Sequence, residues 1–169
     1  MRLFIALDPG KKLRDQLSGI QEDLKNQGIR GSWSRMENLH MTLVFLGECT
    51  ASQKQAAQAV LEKLPCPETI LPCTGLGHFG SLWYLGFQAD PALEDYVRQL
   101  KACLQEAGVS FDAKPFKAHV TLIRKASAIP VLSDTQTASL VFAAGRPVLY
   151  ESRQIQGTLT YLAVSRNSR

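Results

Sequence analysis

His40-Met41-Thr42-Leu43 and His119-Val120-Thr121-Leu122 are one pattern, H-x-T-L, written twice 79 residues apart in a chain that contains three histidines. On a β-strand, side chains two apart point to the same face. Each copy therefore presents an imidazole and a hydroxyl together, while Met41, Leu43, Val120 and Leu122 turn the other way into a core. The surroundings are duplicated as well. Leu13, Leu17, Ile20 and Leu24 recur at helical spacing, and Leu93, Val97, Leu100 and Leu104 repeat the stripe 80 positions on, with Gly28 and Gly108 as matching C-terminal caps. An apolar strand precedes each helix, Leu3 to Leu7 before Asp8-Pro9 and Leu82 to Phe87 before Asp90-Pro91. The chain is thus a strand, helix, strand unit followed by its copy, a single repeat pair and not a solenoid.

The remaining segments fit round this frame. Arg30 to Asn38 leads into the first histidine strand, which runs to Leu46 and closes at Gly47. Thr50-x-x-Gln53 predicts a capping box for a second helix that carries Val60, Leu61 and Leu64 on one face and stops at Pro65. The tail predicts strands over Leu140 to Ala143, Val148 to Ile155 and Thr158 to Val164, the last two joined at Gln156-Gly157. Gly75-x-Gly77 has no G-x-x-G continuation into a helix and predicts tight turns, with His78 serving a turn beside them. The expected fold class is α+β: residues 1–169 as one domain of two pseudo-symmetric lobes, with mostly antiparallel sheets flanked by helices around a central cleft.

At 169 residues, 45% hydrophobic and 20% charged, the chain has the makings of a core, which excludes intrinsic disorder. A net charge of +4 favours an anionic ligand. No uncharged apolar run is long enough to span a membrane, and the expected location is cytoplasmic. Cys49, Cys66, Cys73 and Cys103 form no C-x-x-C pair, so no metal site is predicted, Cys66, Cys73 and His78 included.

Two histidines brought face to face by the duplication suit displacement at phosphorus. One imidazole takes a proton from the attacking oxygen while the other protonates the leaving oxygen on the far side. Thr42 and Thr121 would hold the non-bridging oxygens, and a cation such as Arg124 or Lys125 would neutralise the charge that grows in the transition state. Lys114, Lys117, Arg124 and Lys125 cluster round the second histidine with Asp112 as the one nearby acid, a composition suited to phosphate. No metal or other cofactor is needed.

The chain resembles the two-histidine phosphoesterases, specifically the RNA 2′,3′-cyclic phosphodiesterases historically called 2′-5′ RNA ligases. The likeness runs through Arg2 to Leu7, Glu37 to Leu43 with Phe45-Leu46-Gly47, Gly75 to Gly77 with Phe79, Phe116 to Arg124, and Glu151-Ser152 with Gly157 and Tyr161. Family members often carry proline at the position of Ala118 and leucine at that of Gln154; neither departure removes a reacting group. The resemblance implies a bilobal fold and metal-independent hydrolysis of RNA 2′,3′-cyclic phosphate ends to 2′-phosphomonoesters, with reversible 2′-5′ ligation as a related reaction. By motif position His40 would be the acid at O3′ and His119 the base acting on water, with Thr42, Thr121 and Arg124 on the phosphate and Phe45 beside the nucleobase. Strict strand alternation points Phe45 and Arg124 away from the histidines, so these two roles require a bulge or twist. The partners implied are RNA ends or related nucleotides, with no membrane and no obligate protein partner, as a monomer. The competing readings are a nucleotide- or RNA-binding module of the same fold, or an enzyme for small cyclic phosphates or 2′-5′ oligonucleotides.

Overall fold

A computed structural model describes residues 1–164. The first half forms β1 (Arg2–Leu7), α1 (Gly10–Asn26), β2 (Ser32–Trp33), a 3-10 turn (Met36–Asn38), β3 (Met41–Glu48), α2 (Ala51–Lys63) and β4 (Thr69–Phe79). The second forms β5 (Leu82–Phe87), α3 (Pro91–Glu106), β6 (His119–Arg124), α4 (Asp134–Thr137), β7 (Val141–Ala144), β8 (Pro147–Ile155) and β9 (Thr158–Ala163). The duplicated helices are punctuated as the sequence predicts. Gly28 and Gly108 take left-handed φ values of 85° and 77° just past α1 and α3, and the Asp8 and Asp90 carboxylates accept the N–H groups of Gly10 and Ala92. Thr50 and Gln53 complete the capping box of α2. No helix among the described residues is long and apolar enough to cross a membrane.

All described strand pairs are antiparallel, and they form two sheets, ordered β3-β1-β8-β9 and β2-β6-β5-β4-β7. Each sheet is built from both halves of the chain. β8 of the second half pairs with β1 and carries β9 at its other edge, while β5 and β6 take β4 and β2 from the first half as neighbours. The core is correspondingly continuous: Leu3, Leu7, Leu17, Leu24 and Met41 of the first half pack in one cluster with Leu85, Leu100 and Val120 of the second. Helix α1 adds a polar tie. The buried Gln21 side-chain amide donates to the carbonyls of Ser34, at 2.8 Å, and of Leu122 in β6, at 3.0 Å. A helix that follows a strand of one sheet is thereby fixed to the histidine strand of the other.

One expectation is corrected. Gly75 and Gly77 lie inside an 11-residue strand, β4, and do not make tight turns. Pro72 and the two glycines hide this strand, because both residue types argue against a strand interior. Each has a structural reason. β4 changes partner along its length, pairing with β7 up to Pro72 and with β5 from Cys73 on, with a bulge between Cys73 and Gly75. At Gly77 a Cβ would come within 2.5 Å of the Tyr84 ring. His78, the last residue but one of β4, stacks on Trp83 at 4.7 Å and bonds through Nδ1 to the Gly80 carbonyl at 3.1 Å, in keeping with a turn role.

Gln21→Ala leaves two carbonyls without their donor at the join between α1 and β6. Urea denaturation is expected to show a loss of about 1–3 kcal/mol. An unchanged midpoint would show that this tie does not hold the helix to the sheet.

Candidate active site

The two histidine strands share an irregularity that alternation does not show. In the ladder between β1 and β3, Ala6 pairs with Thr42 but Ile5 pairs with Val44, so Leu43 is an extra residue; between β5 and β6, Tyr84 pairs with Thr121 but Trp83 pairs with Ile123, so Leu122 is the extra residue. Leu43 and Leu122 are equivalent in the repeat, so the β-bulge is duplicated too. A bulge shifts all later side chains by one step of the alternation. Leu43 and Val44 are both buried, as are Leu122 and Ile123, and Phe45 and Arg124 return to the face that carries Thr42 and Thr121. The bulge required for the carry-over of Phe45 and Arg124 is therefore present in both strands. β3 and β6 do not pair, but they approach to Cα–Cα separations of 8 Å or less, so the two half-sites meet.

The imidazoles are held alike. His40 Nδ1 lies 2.6 Å from the Asn38 carbonyl and His119 Nδ1 lies 2.7 Å from the Lys117 carbonyl, again equivalent positions. A carbonyl can only accept, so Nδ1 carries the proton in both rings and the Nε2 lone pair is the basic one. His40 Nε2 is 2.8 Å from Thr42 Oγ1. Aromatic rings fix the planes: Phe4 and Tyr161 pack on His40 at 5.0 and 5.2 Å, and Tyr84 and Phe79 pack edge-on to His119 at 4.9 and 5.7 Å. Burial, chiefly, holds both imidazoles below their ordinary proton affinity, against the opposing effect of the carbonyl bonds. Arg124 lowers both further. The His119 charge acts on His40, while the Lys117 charge acts on His119.

His119 opens into a cavity of about 220 Å³ lined also by Thr42, Phe45, Phe79, Lys114 and Lys117. The Arg2 guanidinium lies 5.1 Å from the Phe45 ring centroid, and the Asp112 N–H donates to the Phe45 carbonyl at 2.8 Å. The Lys117 ammonium sits 5.3 Å from the Phe79 ring and 5.1 Å from the Tyr84 ring, the same two rings that flank His119. Lys125 does not line this cavity; it occupies a left-handed turn, φ 56°, just past β6. Phe4, Tyr84, Phe79 and Tyr161 were not assigned to the site by sequence reasoning. Phe79 reaches it from the end of β4, where that strand pairs with β5, and Tyr161 from the edge strand β9. Among the described residues no three His, Cys, Asp or Glu side chains gather as a metal site, and burial pushes the Cys66 thiol up to about 11.

The carbonyl bonds predict a common tautomer. Nitrogen-15 NMR of the neutral rings should show Nδ1–H for both His40 and His119, and an Nε2–H tautomer in either would contradict the reactive geometry described.

Residues 7–83 match the family described as LigT like phosphoesterase. A protein of Thermotoga maritima named RNA 2′,3′-cyclic phosphodiesterase is 32% identical over 135 residues, covering 73% of this chain and 70% of that protein. A Geobacillus stearothermophilus protein of the same name is 29% identical over 163 residues, 88% of this chain but 51% of that protein. Among solved structures, Escherichia coli LigT in apo form superposes with a TM-score of 0.81 at 26% identity, covering 97% of this chain and 94% of that one. The same E. coli protein complexed with 3′-AMP gives 0.77 at 25% identity, with the same coverage. With its fold, its paired histidine motifs and this identity across most of a named relative, the chain belongs to the LigT-like phosphoesterase family.

Proposed function

We propose that the chain hydrolyses RNA 2′,3′-cyclic phosphate ends to 2′-phosphomonoesters, with His119 as the base and His40 as the acid. The observation that carries this reading is the pair of Nε2 atoms left as the basic nitrogens by equivalent Nδ1–carbonyl bonds, on His40 just before β3 and on His119 in β6, two strands that meet at one cleft. The relatives named RNA 2′,3′-cyclic phosphodiesterase support the substrate class, and the E. coli LigT complex with 3′-AMP supports a nucleotide ligand.

Acid–base catalysis needs the two rings in opposite states, one neutral and one protonated. The frame round them is nearly symmetric, so something must break the symmetry. Position 117 is lysine where the equivalent position 38 is asparagine, and its ammonium stands against the rings that flank His119. Repulsion between the imidazoles favours a single proton on the pair; burial opposes it more at His40, the more enclosed ring, so placing the proton there requires the repulsion of Lys117 at His119 to outweigh that burial. His119 Nε2 then takes a proton from water as the water oxygen bonds to phosphorus. The P–O3′ bond breaks on the opposite side, and O3′ takes the proton from His40 Nε2. Thr42, Thr121 and Arg124 hold the non-bridging oxygens, and Phe45 lies beside the nucleobase.

His40→Ala and His119→Ala are each expected to lower turnover of a cyclic-phosphate nucleotide by about 10²-fold or more, assayed in EDTA. Phosphorus NMR of the wild-type product should show a 2′-phosphate; a 3′-phosphate would reverse the orientation proposed.

Lys117→Met removes a charge that lowers the proton affinity of His119, so that ring becomes protonated at higher pH. The acidic limb of the kcat/KM profile should move to higher pH, whereas Lys117→Arg should leave it in place. A profile unmoved by Lys117→Met would remove the basis for distinguishing the two histidines.

A further inference from the structure

Across β6, β5 and β4, His119 lies in register with Gly86, and Gly86 lies in register with Gly75. The row beside the imidazole therefore has no side chain of its own on these two strands: over Gly86 it is covered by the Thr74 hydroxyl and the edge of the Tyr84 ring, and over Gly75 it is open. Beyond it is a second cavity, of about 310 Å³, distinct from the one that holds Phe45. A Cβ on Gly75 would meet nothing within 4 Å. In the next row the place of a Gly77 side chain is taken by the Tyr84 ring. Tyr84 is 5% exposed, and its side chain lines the cavity. The Thr74 hydroxyl lies against Gly86, 2.7 Å from where a Cβ would stand. Phe116 and Lys117 line this trough and the Phe45 cavity alike, forming the ridge between them.

We infer that the trough is a second nucleoside subsite, which takes the nucleotide preceding the cyclic-phosphate residue in the same RNA strand. This rests on the function proposed above. The open floor at Gly75, bordered by the Thr74 hydroxyl and the Tyr84 ring, leaves room for a planar base, and the Phe116 ring supplies an aromatic wall. The Tyr84 and Thr74 hydroxyls offer hydrogen bonds to a ribose or base edge. The Lys117 ammonium, on the ridge, is placed for the phosphodiester that joins a nucleoside in the Phe45 cavity to one in the trough. The site therefore selects an RNA chain over a mononucleotide.

The test compares kcat/KM for a mononucleoside 2′,3′-cyclic phosphate and for a dinucleotide ending in the same group. The wild-type protein should favour the dinucleotide about tenfold or more, the lower part of what one stacked base contributes. Thr74→Leu places a larger side chain on Gly86, and Ala89→Trp closes the rim. Each should bring the ratio to about one while mononucleotide turnover stays within about twofold of wild type. Equal use of both substrates by the wild-type protein, or a ratio that survives both substitutions, overturns the subsite. Binding separates this from failure of the proposed activity. If neither substrate is turned over, the dinucleotide 2′-phosphate must still bind about tenfold tighter than the mononucleotide 2′-phosphate, and lose that margin in Thr74→Leu; equal binding overturns the subsite.

Discussion

An extra residue at the equivalent point of two strands, Leu43 in β3 and Leu122 in β6, sets which side chains share a face with the two H-x-T pairs. An antiparallel ladder without a bulge would place Phe45 and Arg124 on the core side of β3 and β6, and would leave each histidine face with only an imidazole and a hydroxyl. With Leu43 and Leu122 inserted, the core keeps two consecutive apolar side chains at each point, and the cleft gains an aromatic ring on one strand and a guanidinium on the other. The bulge thus serves both faces. Because the two strands carry it at equivalent positions, one irregularity inherited twice furnishes both sides of the cleft.

The exchange of strands between the halves gives this site its rigidity. β8 and β9 complete the sheet of the first histidine, and β4 completes that of the second. Tyr161 and Phe79, the rings that fix the outer edges of His40 and His119, come from those exchanged strands. A half of the chain alone would hold its histidine without the second ring. The placement of the two imidazoles is then coupled to the closure of the whole fold, as the shared core also requires.

The parts legible in the sequence are those with a period. The stripes of α1 and α3, the paired H-x-T-L segments and the capping box of α2 are local patterns, and each is found where the pattern places it. The parts that were not legible depend on neighbours distant in sequence. β4 carries Pro72, Gly75 and Gly77 because it changes partner and makes room for Tyr84, reasons that lie in β7 and β5. Gln21 sits within an apolar stripe because two carbonyls across the core need a donor. The bulge left a trace that could have been used: Phe45 and Arg124 stand at the same offset as the histidines, which marks them as equivalent before their facing is known.

The central claim is that a nearly symmetric pair of imidazoles holds one proton, and holds it on His40. Imidazole NMR titration of both rings with a nucleoside 2′-phosphate bound reads this directly. The claim predicts that on lowering pH His40 takes up its proton first, while His119 stays neutral across the active range. Protonation of His119 first, or of both rings together, would contradict it.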